Sequence, residues 1–409
     1  MTRILYLTPL APLPTTDGGR QRTNLLYQAL RPLGQVDTIV INKTEHPISP
    51  EEREQLQREY GLVDILSYRK AGQHAPWRWA GQYSEQLIHL IRGWGVDYAP
   101  DPDVKRRIER HLNNYDVIVS RYPWSAAVAG VVGGARPLIV DVDDRESERV
   151  RSSMTGRADH PSWSRLKRWW WDRRIDQLAW AEHRLLSKSQ HFWLTKRQDL
   201  DGIDGLAPWS LLPNIPFGSP AGAVPAQPKA SEPTILFVGS LSFSPNRNGM
   251  QRFLDRSWPA IRKACPSAKL KLVGGSAPPS WESIPGVECA GFVEHLDQAY
   301  NEAAFSVVPL WEGAGTKIKV LESLQRHRTV VTSRYGLRGY ESHLLDGESL
   351  LVGDDDAGLT RACLRLLNDP AFADRLARHG AERVRAHYAQ APFNRQVAET
   401  IQPLLAPSA

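Results

Sequence analysis

The chain is poor in sulfur and lacks long apolar runs. Its 409 residues include three cysteines, Cys265, Cys289 and Cys363, and three methionines. Three scattered cysteines give neither a disulfide framework nor a metal-binding spacing, so a reducing compartment is expected. No stretch approaches the roughly 20 apolar residues that span a bilayer. The opening residues Met-Thr-Arg-Ile-Leu-Tyr-Leu-Thr-Pro are short and strand-like, unlike a secretory leader. A cytoplasmic protein is expected, working in solution or at the inner face of the membrane. No acidic or histidine residues pair at a ligand spacing, so no metal is expected.

Basic residues are in modest excess: 51 Lys and Arg against 45 Asp and Glu give a net charge of +6. That suits an anionic partner such as a nucleotide, lipid headgroup or nucleic acid, without choosing among them. No nucleic-acid-binding module is recognisable, so none of that class is expected as a partner. An apolar fraction of 41% is that of a globular chain, and the length allows two domains.

The apolar pattern alternates strand and helix twice over. Arg3–Thr8, Val36–Ile41, Val63–Leu66, Asp116–Ser120, Pro137–Val142, His191–Leu194 and Trp209–Leu212 read as strands, with helical spacing between them. The Pro-rich stretch from Ile215 to Pro233 reads as a linker. The rhythm then restarts with strands at Thr234–Val238, Lys269–Val273, Val287–Ala290, Phe305–Pro309, Thr329–Thr332 and Glu348–Val352, and a single helix over Gly249–Cys265. The expected division is 1–214, a linker 215–233, 234–390, and a C-terminal helix in 391–409 packing back toward the first domain. Two parallel α/β sheets with facing carboxyl ends would make a cleft, where ligands of such sheets bind.

The most informative segment is Glu312-Gly-Ala-Gly-Thr-Lys-Ile-Lys-Val-Leu-Glu322. An apolar strand precedes it, and a helix starts within it. Glycines such as Gly313 and Gly315 let backbone approach phosphate oxygens, and the first N–H groups of a helix favour an anion. Thr316 is the expected N-cap. Lys319 and Glu322, three apart, share a helix face; the lysine suits a phosphate and the carboxylate suits ribose hydroxyls. The plain alternative is a solvated helix with an ordinary ion pair.

With Phe237-Val-Gly-Ser-Leu, Pro245-Asn, Leu272-Val-Gly-Gly, Gly291-Phe-Val and Val330-Val-Thr-Ser, this string resembles the GT-B glycosyltransferases, in particular the retaining group called family four, which includes builders of exopolysaccharide. The resemblance covers Thr234–Tyr388 well and the first domain thinly, through the opening strand, Gly18-Gly19 and Pro213-Asn214. It implies two Rossmann-like domains, the first for the acceptor and the second for a nucleotide-diphosphate sugar such as a UDP- or GDP-sugar, and transfer of the sugar with retention and without a cofactor. It implies that Glu322 holds the donor ribose. Lys317 and Lys319 lie near the pyrophosphate, Gly239 and Ser240 form the loop after the first strand, and Phe292 lies where the base packs. Arg247 answers to a basic residue of that loop, and Gly18 and Gly19 to an acceptor-domain loop closing over the donor. Where the family often has a second glutamate, this chain has Ala314, with Glu312 two residues off register. A Gly-x-Pro after the helix is replaced by His327-Arg328-Thr329, and histidine enters the left-handed region less readily than glycine. Asp141-Val-Asp143-Asp144 stands where a histidine is expected.

Asp143 and Asp144 are the candidates to orient or deprotonate an acceptor hydroxyl; the plain alternative is that they cap a helix or pair with Arg145. Lys319 is the candidate to stabilise the leaving diphosphate. The Trp- and Arg-rich segment 162–187 reads either as a membrane-surface element suited to a lipid-linked acceptor or as a core helix with Trp171, Ile175, Leu178 and Leu185 inward. Glu182 falls on that inward stripe, paired or lining the cleft. His295 and His327-Arg328 are expected at the surface. The acceptor is a glycan, a lipid-linked sugar or a small molecule. Competing readings are an epimerase or phosphorylase on the same frame, whose signatures are absent, and a non-catalytic nucleotide-sugar-binding subunit of a glycosylation complex.

Overall fold

The structure is a computed structural model describing residues 2–13, 18–42, 48–68, 99–154, 165–216 and 233–405. Most of the expected linker and the start of the Trp-rich segment lie outside the described residues. The chain divides into two units, Met1–Pro213 with Phe393–Ala409, and Asn214–Pro392.

The first unit contains β1 (Arg3–Thr8), α1 (Gly18–Leu30), β2 (Gln35–Asn42), α2 (Pro50–Tyr60), β3 (Leu62–Ser67), α3 (Pro102–Glu109), β4 (Val117–Arg121), α4 (Pro123–Val128), β5 (Leu138–Asp143), α5 (Glu146–Met154), α6 (Arg165–Leu186), β6 (His191–Leu194) and β7 (Trp209–Leu211). The second contains β8 (Thr234–Val238), α7 (Ser244–Arg256), α8 (Trp258–Ala264), β9 (Lys269–Val273), β10 (Val287–Gly291), α9 (Leu296–Glu302), β11 (Phe305–Val308), α10 (Ile318–Gln325), β12 (Val330–Ser333), β13 (Leu351–Gly353), α11 (Asp356–Asn368) and α12 (Pro370–His387). A last helix, α13 (Gln390–Leu405), ends the described chain. Its Thr400 Oγ1 accepts a 3.1 Å hydrogen bond from the Trp193 indole of β6.

Both sheets are parallel, with orders β3-β2-β1-β4-β5-β6-β7 and β10-β9-β8-β11-β12-β13. Each order runs down in number, then reverses: between β1 and β4 in one unit, between β8 and β11 in the other. That reversal leaves a crevice at the carboxyl ends of the two central strands, because their connections leave on opposite faces. The central strands are apolar on both faces, as parallel sheets covered by helices require: Ile4, Leu5, Tyr6 and Leu7 of β1 and Ile235, Leu236 and Phe237 of β8 are all fully buried.

Two local features differ from the sequence expectation. Gly18 and Gly19 open α1 instead of ending a loop. The helix expected over Gly249–Cys265 begins earlier, at Ser244, and breaks at Ser257. Pro259 has no N–H to donate and its ring collides with the preceding turn, so one helix cannot run through. The earlier start carries Asn246 into the first turn of α7. Gly249 lets that helix lie directly on the end of β11: a Cβ there would sit 2.5 Å from the Pro309 carbonyl oxygen.

Candidate functional site

In the second unit the segments leaving β8 and β11 meet at the switch point. Gly239 follows β8 with φ 152°, in the region that favours glycine. A Cβ on it would lie 2.5 Å from the Lys319 Nζ and 2.9 Å from the Asn246 Nδ2. Only glycine lets the lysine of α10 and the amide of α7 close over this backbone. Asn246 is buried, at 7% exposure. Its Nδ2 donates to the Ser240 carbonyl at 2.8 Å, and its Oδ1 accepts from Lys319 Nζ at 2.8 Å. The same ammonium lies 4.4 Å from the centre of the Phe237 ring. Burial, then the charge of Lys317, pushes Lys319 down to about 7, against the pull of Glu322.

The Gly-rich loop leaves β11 through Gly313, φ 100°. Lys317 Nζ donates to the Gly313 carbonyl at 2.8 Å and to that of Gly315, and the Tyr335 hydroxyl donates to Gly313 at 3.0 Å. Lys317 thus ties the loop to itself, while Lys319 meets only Asn246 among its hydrogen-bond acceptors in the described residues. Lys317 is also the N-cap of α10, without a side-chain cap bond. The expected capping role of Thr316 is therefore corrected: its hydroxyl accepts from Asn214 Nδ2 at 3.0 Å. The turn starts one residue late because Lys317 keeps a non-helical backbone.

Glu322 sits one turn along from Lys319. Its carboxylate has no hydrogen-bond partner among the described residues, and burial holds its pKa above the ordinary carboxylate range despite Arg326 and Lys319. α10 is fixed from beneath: Ser323 Oγ donates to Ser306 Oγ of β11, and Leu324 touches the space beside Gly380 of α12. Glu312 Oε1 accepts from Asn248 Nδ2 at 2.7 Å. Phe292, past the end of β10, is 83% exposed. Ser240 is exposed with its hydroxyl 2.7 Å from that of Ser242, and Arg247 is exposed on the first turn of α7. The residues that gather are therefore Gly239, Ser240, Asn246, Lys319 and, along the helix, Glu322. Asn246 was not singled out as a site residue from sequence, although the Pro245-Asn pair was visible.

His327 takes φ 52°, so this histidine does adopt the left-handed end of α10 that a glycine would take. Arg328 is not at the surface. It is fully buried, and its guanidinium donates to the carbonyls of Tyr300 (2.7 Å) and Asn301 (3.2 Å), filling acceptors left at the end of α9, and to that of His327 (3.0 Å) just after α10.

In the first unit the switch point carries a buried ionic cluster. Arg22 of α1 grips Asp141 of β5, with Nε to Oδ2 at 2.9 Å. Arg121, ending β4, reaches Asp143 at 2.6 Å, Thr23 Oγ1 at 2.6 Å and the Gly19 carbonyl. Gly19 thereby anchors the start of α1. Tyr122 donates to Asp143 Oδ2 at 3.0 Å. Tyr122 and Asp143 both have positive φ, 62° and 55°. Burial alone would raise the Asp143 pKa, but the charges of Arg121 and Arg22 and the bonds from Arg121 and Tyr122 hold it below the usual range. Asp144 meets Lys196 at 3.3 Å, with its side chain 24% exposed. Pairing of these aspartates with Arg145 is corrected: Arg145 binds Glu182 at 3.0 Å, and Glu182 also accepts from the backbone and hydroxyl of Ser147. The stripe position of Glu182 is thus a paired one.

On α6, Ile175, Leu178 and Leu185 are buried as the core reading requires. Trp169 and Trp180 are exposed, at 51% and 46%, with the guanidinium groups of Arg173 and Arg184 5.9 Å and 5.4 Å from their rings. No described helix is long and apolar enough to cross a membrane, and no group of metal-binding side chains occurs among the described residues.

Known structures share this architecture. The structure of sucrose-phosphate synthase from Thermosynechococcus elongatus superposes with a TM-score of 0.66 at 18% identity, covering 100% of both chains. Trehalose 6-phosphate synthase from Burkholderia multivorans gives 0.63 at 10% identity over 99% of each. The Anabaena protein HepE in complex with UDP-glucose gives 0.59 at 12% identity over 98% of this chain and 100% of its own. At such identities the likeness is one of fold, and the fold is GT-B. Residues 232–369 match the family described as Glycosyl transferases group 1. A Klebsiella pneumoniae protein described as an "Uncharacterized 44.6 kDa protein in cps region" is 26% identical over 133 residues, 30% of this chain and 34% of that protein. The matched stretch spans about a third of that relative's length.

Proposed function

We propose that the protein transfers a sugar from a nucleotide-diphosphate sugar to a hydroxyl acceptor, with retention and without a metal, the second unit binding the donor and the first the acceptor. The observation that carries this reading is the meeting of Gly239, Asn246 and Lys319 at the switch point, with the carboxylate of Glu322, which has no hydrogen-bond partner among the described residues, one turn further along α10. Lys319 faces the leaving diphosphate, whose charge grows in the transition state; a fixed cation there stabilises that state more than the bound substrate. Glu322 accepts the ribose hydroxyls. Glu312, Gly313, Gly315, Thr316 and Lys317 shape the loop, Phe292 offers an exposed ring to the base, and Arg247 is an exposed cation on α7. The UDP and UDP-glucose complexes of HepE and the group 1 family match support a UDP-sugar as the first donor to test. On the acceptor side Asp144, partly exposed, is the carboxylate we place nearest the incoming hydroxyl, with Asp143 holding it in position. Polysaccharide biosynthesis in the cytoplasm fits the capsule-region relative, and the exposed Trp169 and Trp180 suit a lipid-linked acceptor at a membrane surface.

The test is release of nucleotide from a panel of UDP- and GDP-sugars. A transferase should slowly hydrolyse one of them without acceptor, and Lys319→Ala should cut that rate by about 10²–10³. Tight binding with no turnover under any acceptor would instead favour a binding subunit. Sedimentation with anionic vesicles, lost in a Trp169→Ala, Trp180→Ala double variant, checks the membrane contact.

A further inference from the structure

Resting on the donor-site reading above, we infer that Lys319 takes up a proton as the donor's diphosphate arrives, and that Asn246 is the positioning residue that makes this possible. An ammonium has three N–H donors and no acceptor. Among the described residues Lys319 finds one hydrogen-bond acceptor, the neutral Oδ1 of Asn246 at 2.8 Å. The ring of Phe237 and the backbone of Gly239 lie against it, leaving the side chain half-buried. No carboxylate lies within ion-pair distance of Nζ among the described residues. The charged groups that face it are Lys317, which repels it, and Glu322, which attracts it and is itself drawn on by Arg326. β8 presents Phe237 to it, the following turn Gly239 and α7 Asn246, while Arg247 of α7 is exposed to solvent. Burial and Lys317 bring the amine down to about 7.

An amide carbonyl can accept from an amine as well as, more strongly, from an ammonium, so Asn246 holds the nitrogen in place in either state. A carboxylate at this position would lock the charge on before any ligand came. A diphosphate brings the missing acceptors and two negative charges, which restore the charged form. The proton comes from solvent, and no other bond changes. Below about pH 7 the lysine is already charged and binding takes up little; above it, each donor bound takes up close to one proton, and affinity falls with pH.

The probe is UDP-glucose, whose diphosphate is esterified at both ends and does not titrate in this range. Calorimetry in two buffers of different ionisation enthalpy counts the protons. Uptake should be near one at about pH 8 and near zero at about pH 6, with affinity about tenfold weaker at the higher pH. Asn246→Asp should abolish the uptake, a change that loss of packing alone would not produce. Binding without uptake at pH 8, or undiminished uptake in Lys319→Arg, overturns the inference. If UDP-glucose does not bind, that counts against the UDP-sugar donor reading, and carbon-13 NMR of lysine-labelled free protein decides the inference. One ε-methylene should titrate near neutrality and vanish in Lys319→Arg. Every lysine titrating near the ordinary value of about 10.4 would overturn it.

Discussion

Glu322→Ala is the sharpest test of the proposed donor site. The carboxylate lies on α10 without a hydrogen-bond partner among the described residues, and burial already disfavours its charge. In the role we propose it accepts hydroxyl groups from a ligand. Hydrogen bonds to a charged group are worth about 1.5–3 kcal/mol each. Two ribose hydroxyls would lose roughly 3–6 kcal/mol, and water entering the space left by the side chain recovers part, leaving a net loss of about 2–4 kcal/mol. That is about a 30- to 1,000-fold rise in Kd. Glu322→Gln keeps one oxygen acceptor without charge and should fall about midway. Neither substitution should lower the melting temperature by more than a degree or two, since among the described residues no hydrogen-bond partner of the carboxylate is stranded and its attraction to Lys319 and Arg326 is opposed by its burial. Isothermal calorimetry with UDP, beside thermal melts, reads both quantities. A Kd within threefold of the parent in Glu322→Ala, or a large fall in Tm with affinity intact, would refute the ribose role.

Two further outcomes follow from backbone geometry. Gly239→Ala places a methyl 2.5 Å from Lys319 Nζ at φ 152°; it should cost about 1–3 kcal/mol of stability and lower turnover by displacing the lysine, measured by denaturant melts and nucleotide release. His327→Gly relieves a left-handed histidine and should be more stable than His327→Ala by about 1 kcal/mol in the same melts; equal stabilities would mean that contacts of the imidazole, not the backbone, set the end of α10.

The α/β alternation was legible because parallel strands buried on both faces read as unbroken apolar runs. β1, β6, β8 and β9 lie where the apolar runs placed them. The Gly-rich string was legible because its glycines and lysines are tightly spaced in sequence. What escaped depends on distant partners. Asn246 gains its role only when α7 lies on Pro309 and brings the amide to Lys319, 73 positions away in sequence. Arg328 looked like a surface charge because nothing local shows that the end of α9 needs donors. Asp143 and Asp144 looked equivalent in sequence, yet one is enclosed by two arginines and the other is paired with Lys196.

That last difference separates the roles we propose for the two aspartates. A general base must release its bonds to take a proton, and its pKa should lie near the working pH. Asp143 accepts from Arg121 and Tyr122 and is held below the ordinary carboxylate range, so its charge serves the fold. Its folded pKa lies below the unfolded value, hence its stabilisation is present above the ordinary carboxylate pKa and is lost as pH falls through the folded one. Asp143→Asn leaves Arg121 short of a buried anion, and breaking a buried pair costs about 3–5 kcal/mol. The variant should melt lower at neutral pH, lose part of the parent's acid-induced destabilisation, and keep turnover per folded molecule within about tenfold. Asp144→Asn should do the reverse, with turnover falling by about 10²–10⁴ at little cost in Tm, since the buried Lys196 keeps Asp199 at 2.5 Å. If Asp143→Asn melts like the parent but does not turn over, the base is Asp143 and the division of labour argued from these contacts is wrong.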